Sequence, residues 1–168
     1  GGALSQEALE RLKGAFPEAV LDSHAQHGDE TAIVVPSQIE RIARFLRDDP
    51  VCAMEMLMDL TGVDLLGVRE PRFEVVYHFY SFSLNHRIRV KAPLEEDDPR
   101  LPSITELWSS ALWMEREAYD LYGVVFEGHP DLRRILLYPE FEGYPLRKDY
   151  DMEDRQPRIP PRPGREHL

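Results

Sequence analysis

An α+β fold, with helices packed on one face of a mixed, mostly antiparallel sheet, follows from three observations. Phe73, Val75, Tyr77 and Phe79 alternate with Glu74, Val76, His78 and Tyr80, and Asn85 marks a turn before Ile88 and Val90, the pattern of a β-hairpin. Two other segments, near residues 39–46 and 104–122, carry apolar residues at helical spacing. The order of elements, α-β-β-α-β-β-β-α, lacks the regular alternation that builds a parallel sheet. A chain of 168 residues is long enough for one domain that buries roughly two-thirds of its unfolded surface.

The elements are read in order. Ser5 is placed as the cap of a first helix carrying Ala8, Leu9, Leu12 and Phe16, which stops near Gly14–Pro17. Strands at Ala19–Asp22 and Thr31–Val35 flank a polar turn around Gly28. Ser37-Gln38-Ile39-Glu40 has capping-box spacing, and Ile39, Ile42, Ala43 and Leu46 follow on one helical face that Pro50 ends. Met54–Leu66 reads as a strand because Thr61-Gly62-Val63 disfavours helix, and strands at Arg72–Phe82 and Arg87–Ala92 form the hairpin. Glu95 to Pro99 is a solvated loop. A second capping box, Ser103-Ile104-Thr105-Glu106, opens a helix that runs to Gly123, a suitable C′ residue. The body is expected over 1–129. Half of the fourteen prolines lie after it, so 130–168 is expected as an extended proline- and arginine-rich tail.

Composition excludes several function classes. The net charge of −11 argues against nucleic-acid binding. It is uneven: residues 1–131 hold 12 Lys/Arg against 24 Asp/Glu, and residues 132–168 hold 8 against 7. No apolar run reaches the ~20 residues needed to span a bilayer. The single cysteine, Cys52, rules out an intrachain disulfide and a thiolate-held cluster, and its apolar neighbours mark it as a small buried hydrophobe. There is no G-x-G-x-x-G, P-loop or G-x-S-x-G motif. Asp59 and Asp64, near a strand, are of a type that serves catalysis, but solvated loop ends are the commoner case, and His24, His27, His78 and His86 have no companions at ligand spacing.

Residues 115–135 are the most informative stretch. Five acids, three arginines and a histidine sit there among aromatic residues. On a helical wheel, Glu115 falls within the apolar side formed by Ile104, Leu107, Trp108, Ala111, Leu112, Ala118, Tyr119 and Tyr122. A carboxylate there is costly unless paired and hydrogen-bonded. Arg116, Glu117, Asp120 and Trp113 take the opposite side, where an indole among charges fits either a contact with another polypeptide or a singly exposed aromatic. Glu115, Glu117, Asp120 and His129 are also the residue types of a carboxylate metalloenzyme. However, Glu115 and Glu117 point ~160° apart on a helix, and no Glu-x-x-His is present. Pairing of these acids with Arg116, Arg133 and Arg134 is the alternative the spacing favours.

The run Glu115-Arg116-Glu117, Asp120-Leu121-Tyr122-Gly123, then Gly128-His129-Pro130-Asp131-Leu132-Arg133-Arg134, resembles the signature of the 30-kDa subunit of proton-pumping NADH:quinone oxidoreductase, respiratory complex I. Gly143-Tyr144-Pro145-Leu146-Arg147-Lys148-Asp149-Tyr150 matches that family's second element, and Pro99–Trp108 is similar to its D-P-x-x-P-S segment. The resemblance covers about residues 30–150. The tail after Tyr150 departs from it, being shorter than in many family members. The resemblance implies a hydrophilic subunit of the peripheral arm with no cofactor of its own. The assembled complex holds FMN, iron–sulfur clusters and quinone. The implied partners are the large 49-kDa-type subunit and small iron–sulfur subunits, on which the 130–168 tail would lie, without nucleic acid or a membrane span. The implied location is the cytoplasmic face of a bacterial inner membrane, or the mitochondrial matrix side. Trp113, Glu115, Arg116, Glu117, Asp120, Gly123, Gly128, His129, Pro130, Asp131, Arg133, Arg134, Gly143, Pro145, Arg147, Lys148, Asp149 and Tyr150 are the interface and signature residues so implied. Homologous modules in membrane-bound hydrogenases and in ferredoxin- or deazaflavin-dependent dehydrogenases are the alternative assemblies.

Overall fold

A computed structural model of the chain describes residues 2–26, 29–151 and 156–157. Its sheet is built on the hairpin. β4 (Phe73–Ser81) and β5 (His86–Leu94) pair antiparallel from Phe73↔Leu94 to Ser81↔His86, and Asn85 takes φ +50° in the turn. On one face Phe73, Val75, Tyr77 and Phe79 meet Leu94, Ala92, Val90 and Ile88, all of them buried. The other face carries Glu74, His78 and Tyr80 opposite Pro93, Arg89 and Arg87. This one-sided alternation is what a sheet covered on one face requires.

β3 (Met56–Asp64) adds antiparallel to β4, with a bulge between Leu57 and Asp59. β1 (Val20–Gln26) and β2 (Asp29–Val34) form a second hairpin, which joins β5 through a parallel β2–β5 pairing. The strand order is β1-β2-β5-β4-β3. The sheet is therefore mixed and mostly antiparallel, as the sequence predicts. The turn expected around Gly28 lies outside the described residues.

α1 (Gly2–Ala15) and α2 (Ile39–Asp48) pack with the sheet in one core that includes Leu9, Leu12, Ile42, Leu46, Val34 and Tyr77. Two caps differ from expectation. Ser5 lies inside α1 and is buried rather than capping it. Pro36–Gln38 form a 3-10 turn ahead of α2, and Gln38 occupies the cap without a side-chain bond, because proline directs that entry instead of Ser37. Asp49, just past α2, accepts Arg11 Nη2 at 2.5 Å and the Val51 N–H at 2.9 Å, tying α1 to α2. The guanidinium holds its carboxyl down at about 2. Cys52 is buried, and burial pushes its thiol up to about 12, as expected for an inert small hydrophobe.

The last helix is shorter than the sequence suggests. α3 spans Ala111–Tyr122, and residues 104–110 form turns. The Ser103 hydroxyl, expected to cap a helix at 104, is bound elsewhere. β6 (Arg100–Pro102) and β7 (Val125–Glu127), neither foreseen, pair in parallel on either side of α3. They fix both ends of the helix relative to each other. α3 packs on β3, where the place a Cβ on Gly62 would occupy lies 2.5 Å from the Tyr122 ring. Gly123 closes the helix in the left-handed region at φ +79°.

Candidate functional site

The charged signature separates around α3 into sets that do not converge on one point. Asp120, placed by the wheel on the open side of the helix, is fully buried, because the chain after Pro130 returns over it. One carboxylate oxygen accepts Arg134 Nη1 at 2.7 Å, and the other accepts the N–H groups of Ile135, Leu136 and Leu137 at 3.2, 2.8 and 3.0 Å. Burial pushes its pKa up, but the guanidinium and three N–H donors outweigh that and leave it below the usual value. Arg134 also donates to the Gly143 carbonyl.

Glu115 is the second buried carboxylate, and its environment differs from expectation. No cation pairs with it among the described residues. It accepts the Ile104 N–H at 2.8 Å and the Ser103 hydroxyl at 2.7 Å. Burial raises its pKa to about 7, against the lowering effect of those two donors. The expected pairing with arginine fails because Arg116, one residue on, points to the other side of the helix. There its guanidinium donates to the carbonyls of Arg133 and Arg134. Arg133 pairs with Asp131.

The outer face holds the remaining signature residues. Trp113 is 54% exposed, and its indole N–H donates to Glu117 at 2.8 Å across one helical turn. Leu112, placed by the wheel on the apolar side, is 40% exposed instead. His129 Nδ1 accepts the Asp131 N–H at 2.9 Å, so Nε2 carries the proton and donates to the Leu112 carbonyl at 3.0 Å. This locks the turn of Gly128 (φ +85°) and the exposed Pro130 onto α3. Glu115, Glu117, Asp120 and His129 thus have separate partners. Among the described residues no group of three His, Cys, Asp or Glu side chains is placed to hold a metal ion.

Residues 143–150 fold against the body of the same chain. Asp64, read from the sequence as a solvated loop end, is buried beside Arg72, with both side chains 2% exposed. Arg72 donates to Asp64 twice, at 3.0 and 2.9 Å, and to Asp149 at 2.7 Å and Glu96 at 2.7 Å. The Lys148 N–H donates to Asp64, and the Lys148 ammonium reaches the Leu66 carbonyl. The Arg72 guanidinium holds the Asp64 carboxyl well below the usual range, with help from the Lys148 and Leu66 N–H groups. Arg147 donates to the Tyr122 carbonyl at 2.7 Å, which satisfies the end of α3.

Cations and rings alternate through this region. Arg72 and Arg147 lie over Phe73 at 4.7 and 4.9 Å, Arg147 and Arg134 over Tyr144 at 4.7 and 5.2 Å, and Arg134 over Phe141 at 5.4 Å. Phe141 then stacks on Tyr150 at 6.2 Å. Gly143 is at φ +85° beneath the Tyr150 ring, and Pro145 sets the turn before Leu146. Asp64, Arg72, Phe73, Glu96 and Phe141 were absent from the sequence-derived set. No local pattern marks them; Asp64 and Arg72 meet only because β3 pairs with β4, placing Asp64 opposite Phe73.

Comparison with known proteins places this arrangement in context. The profile of a family described as the respiratory-chain NADH dehydrogenase 30 kDa subunit matches residues 32–156. The C subunit of NADH-quinone oxidoreductase from Roseiflexus castenholzii is 52% identical over 141 residues, which is 84% of this chain and 80% of that protein. The protein of the same name from Citrifermentans bemidjiense is 46% identical over 157 residues, covering 92% and 96%. Among solved structures, a trypsin-resistant fragment (1-134) of Nqo5 superposes with TM-score 0.63 at 33% identity, covering 76% of this chain and 98% of the fragment. A polypeptide of a membrane-bound sulfane sulfur reductase, an archaeal respiratory membrane complex, superposes with TM-score 0.71 at 27% identity, covering 88% and 86%.

Proposed function

The chain belongs to the 30-kDa subunit family of respiratory-chain NADH dehydrogenase, and on that premise we propose that it is a non-redox docking subunit of a proton-pumping NADH:quinone oxidoreductase. It lies in the peripheral arm and positions a large 49-kDa-type subunit and small iron–sulfur subunits for electron transfer to quinone. FMN, the iron–sulfur clusters and quinone belong to other parts of the assembled complex. No helix among the described residues is long and apolar enough to cross a membrane, so attachment comes from the assembly. In a bacterium the arm faces the cytoplasm, and in a mitochondrion the matrix.

One observation carries this reading. Asp120, Arg134 and Asp149 are bound within the chain and hold residues 131–150 as a fixed surface, on which Leu136 and Leu146 stay about half exposed, as Trp113 does on α3. Apolar and aromatic groups held on a rigid polar frame suit protein contact better than turnover. Affinity purification of the tagged chain from native membranes, followed by identification of the co-purifying subunits, tests it. Recovery of 49-kDa-type and iron–sulfur subunits is expected. Recovery of the chain alone carrying stoichiometric flavin or metal would sink the proposal.

The likeness to a sulfane sulfur reductase polypeptide supports a second reading, an equivalent subunit in a respiratory complex with another electron donor. Assaying the same preparation with NADH and with reduced ferredoxin separates the two.

A further inference from the structure

Glu115 is fully buried with no cation, yet it is not isolated. Ser103 Oγ, 2.7 Å from one carboxylate oxygen, lies 2.9 Å from Thr105 Oγ1, and both residues are partly exposed. The two hydroxyls form a hydrogen-bonded line from the carboxylate through partly exposed residues. Of the elements packed around it, β4 presents Tyr77, whose fully buried hydroxyl has no hydrogen-bond partner and whose ionisation the Glu115 charge opposes. The loop after β6 presents Ser103, Thr105 and the Ile104 N–H. No charged partner faces it among the described residues.

We propose that Glu115, Ser103 and Thr105 form a proton-uptake site, in which a buried carboxyl exchanges its proton with solvent along a two-hydroxyl relay. The hydrogen bonds balance in both states. With Glu115 ionised, Ser103 O–H donates to the carboxylate, and Ser103 Oγ accepts from the Thr105 hydroxyl and from the Thr105 N–H at 3.1 Å. When a solvent proton reaches Thr105 Oγ1, that oxygen passes its own hydrogen to Ser103 Oγ, and Ser103 passes its hydrogen to the carboxylate. The carboxyl O–H then donates to Ser103, and Ser103 O–H donates to Thr105. No bond other than O–H is made or broken, and one proton moves from water to Glu115.

The site lies at the joint between β6 and α3, so its occupancy sets how firmly the helix is tied to the strand before it. A carboxylate accepts a charge-assisted bond from Ser103 where the neutral acid makes an ordinary one, but burial of the charge outweighs that gain, so the protonated site is the more stable joint. The balance falls near neutrality because burial raises Glu115 to about 7.

Carbon-13 NMR of the full chain, labelled at the glutamate side-chain carboxyl, reads each protonation directly. One resonance is expected to titrate as a single moving peak with its midpoint near 7 and to be missing from Glu115→Gln. Ser103→Ala removes a donor that favours the charged form, so the midpoint should rise by about one pH unit. Thr105→Val leaves Glu115's own bonds in place but cuts the outer step, so near the midpoint the peak should split into two slowly exchanging signals. A midpoint between 4 and 5, or one unmoved in Ser103→Ala, overturns the site. A single fast-exchanging peak in Thr105→Val overturns the relay. Should Glu115→Gln fail to fold, the Ser103→Ala shift identifies the resonance.

Discussion

Asp120→Asn removes one charge and almost no volume from a carboxylate that four donors surround. Either orientation of the new amide points an NH2 at Arg134 or at the N–H groups of 135–137, so donor faces donor. Taking away one partner of a buried ion pair costs 3–5 kcal/mol in general. Here Arg134 is 12% exposed and residues 135–137 lie in a surface segment that water reaches when it lifts, so the lower end applies, about 3 kcal/mol. For a chain of this length that lowers the melting temperature by about 10 °C. Asp120→Ala should match it, since the lost acceptor matters more than the shape. Thermal melting combined with amide hydrogen exchange tests this, and the 135–137 amides should lose protection before the sheet does. If Asp120→Asn melts within about 1 kcal/mol of the parent with those amides still protected, the assignment of Asp120 as the anchor of this segment is refuted.

Other substitutions and conditions give sharp expectations. Gly62→Ala places a Cβ 2.5 Å from the Tyr122 ring, so α3 must shift; a loss of about 1–3 kcal/mol is expected in urea unfolding, and a neutral result would mean the helix floats on β3. Truncation after Tyr150 removes the Gln156 bonds to Glu142 and Tyr150 and, among the described residues, no buried one, so the melting temperature should fall by no more than about 3 °C. The dependence on pH has two opposed parts. Asp49, Asp64, Asp120 and Asp149 have folded pKa values below their unfolded ones, so their contribution is present above about pH 4 and disappears as pH falls through the folded values. Glu115 is raised, so its contribution is complete below its unfolded value of 4.5 and is lost as pH rises through about 7, on the order of 3 kcal/mol. Stability should therefore peak near pH 5 and decline toward 7, and Glu115→Gln should flatten that decline when melting is followed across the range.

The legible parts of the sequence were those in which one local pattern decides the outcome. The β4–β5 hairpin shows in its alternation, α2 in its spacing, and the end of α3 in Gly123, because each is settled by neighbours in sequence. β6 and β7 were not legible. Each is three residues long, and they pair across an intervening helix, so no window of sequence contains the interaction. The start of α3 misleads for a related reason: Ser103 has capping-box spacing to Glu106, yet its hydroxyl serves Glu115, twelve residues away. A helical wheel places Asp120 on the open side because it sees one helix at a time. The segment that buries it begins ten residues later. The clustering of charges was thus readable, while their partners were set by long-range return of the chain.

The alternation of cations and rings from Arg72 to Tyr150 has a consequence for inheritance of damage. Each guanidinium is held flat by the ring beneath it and in turn supports the ring above, beginning at a sheet residue and ending at the outermost aromatic. A lesion at Phe73 therefore takes the ring from under Arg72 and Arg147 together, whereas one at Tyr150 leaves the lower layers standing. Tolerance to substitution should grow with distance from the sheet, like floors of a building counted from its foundation.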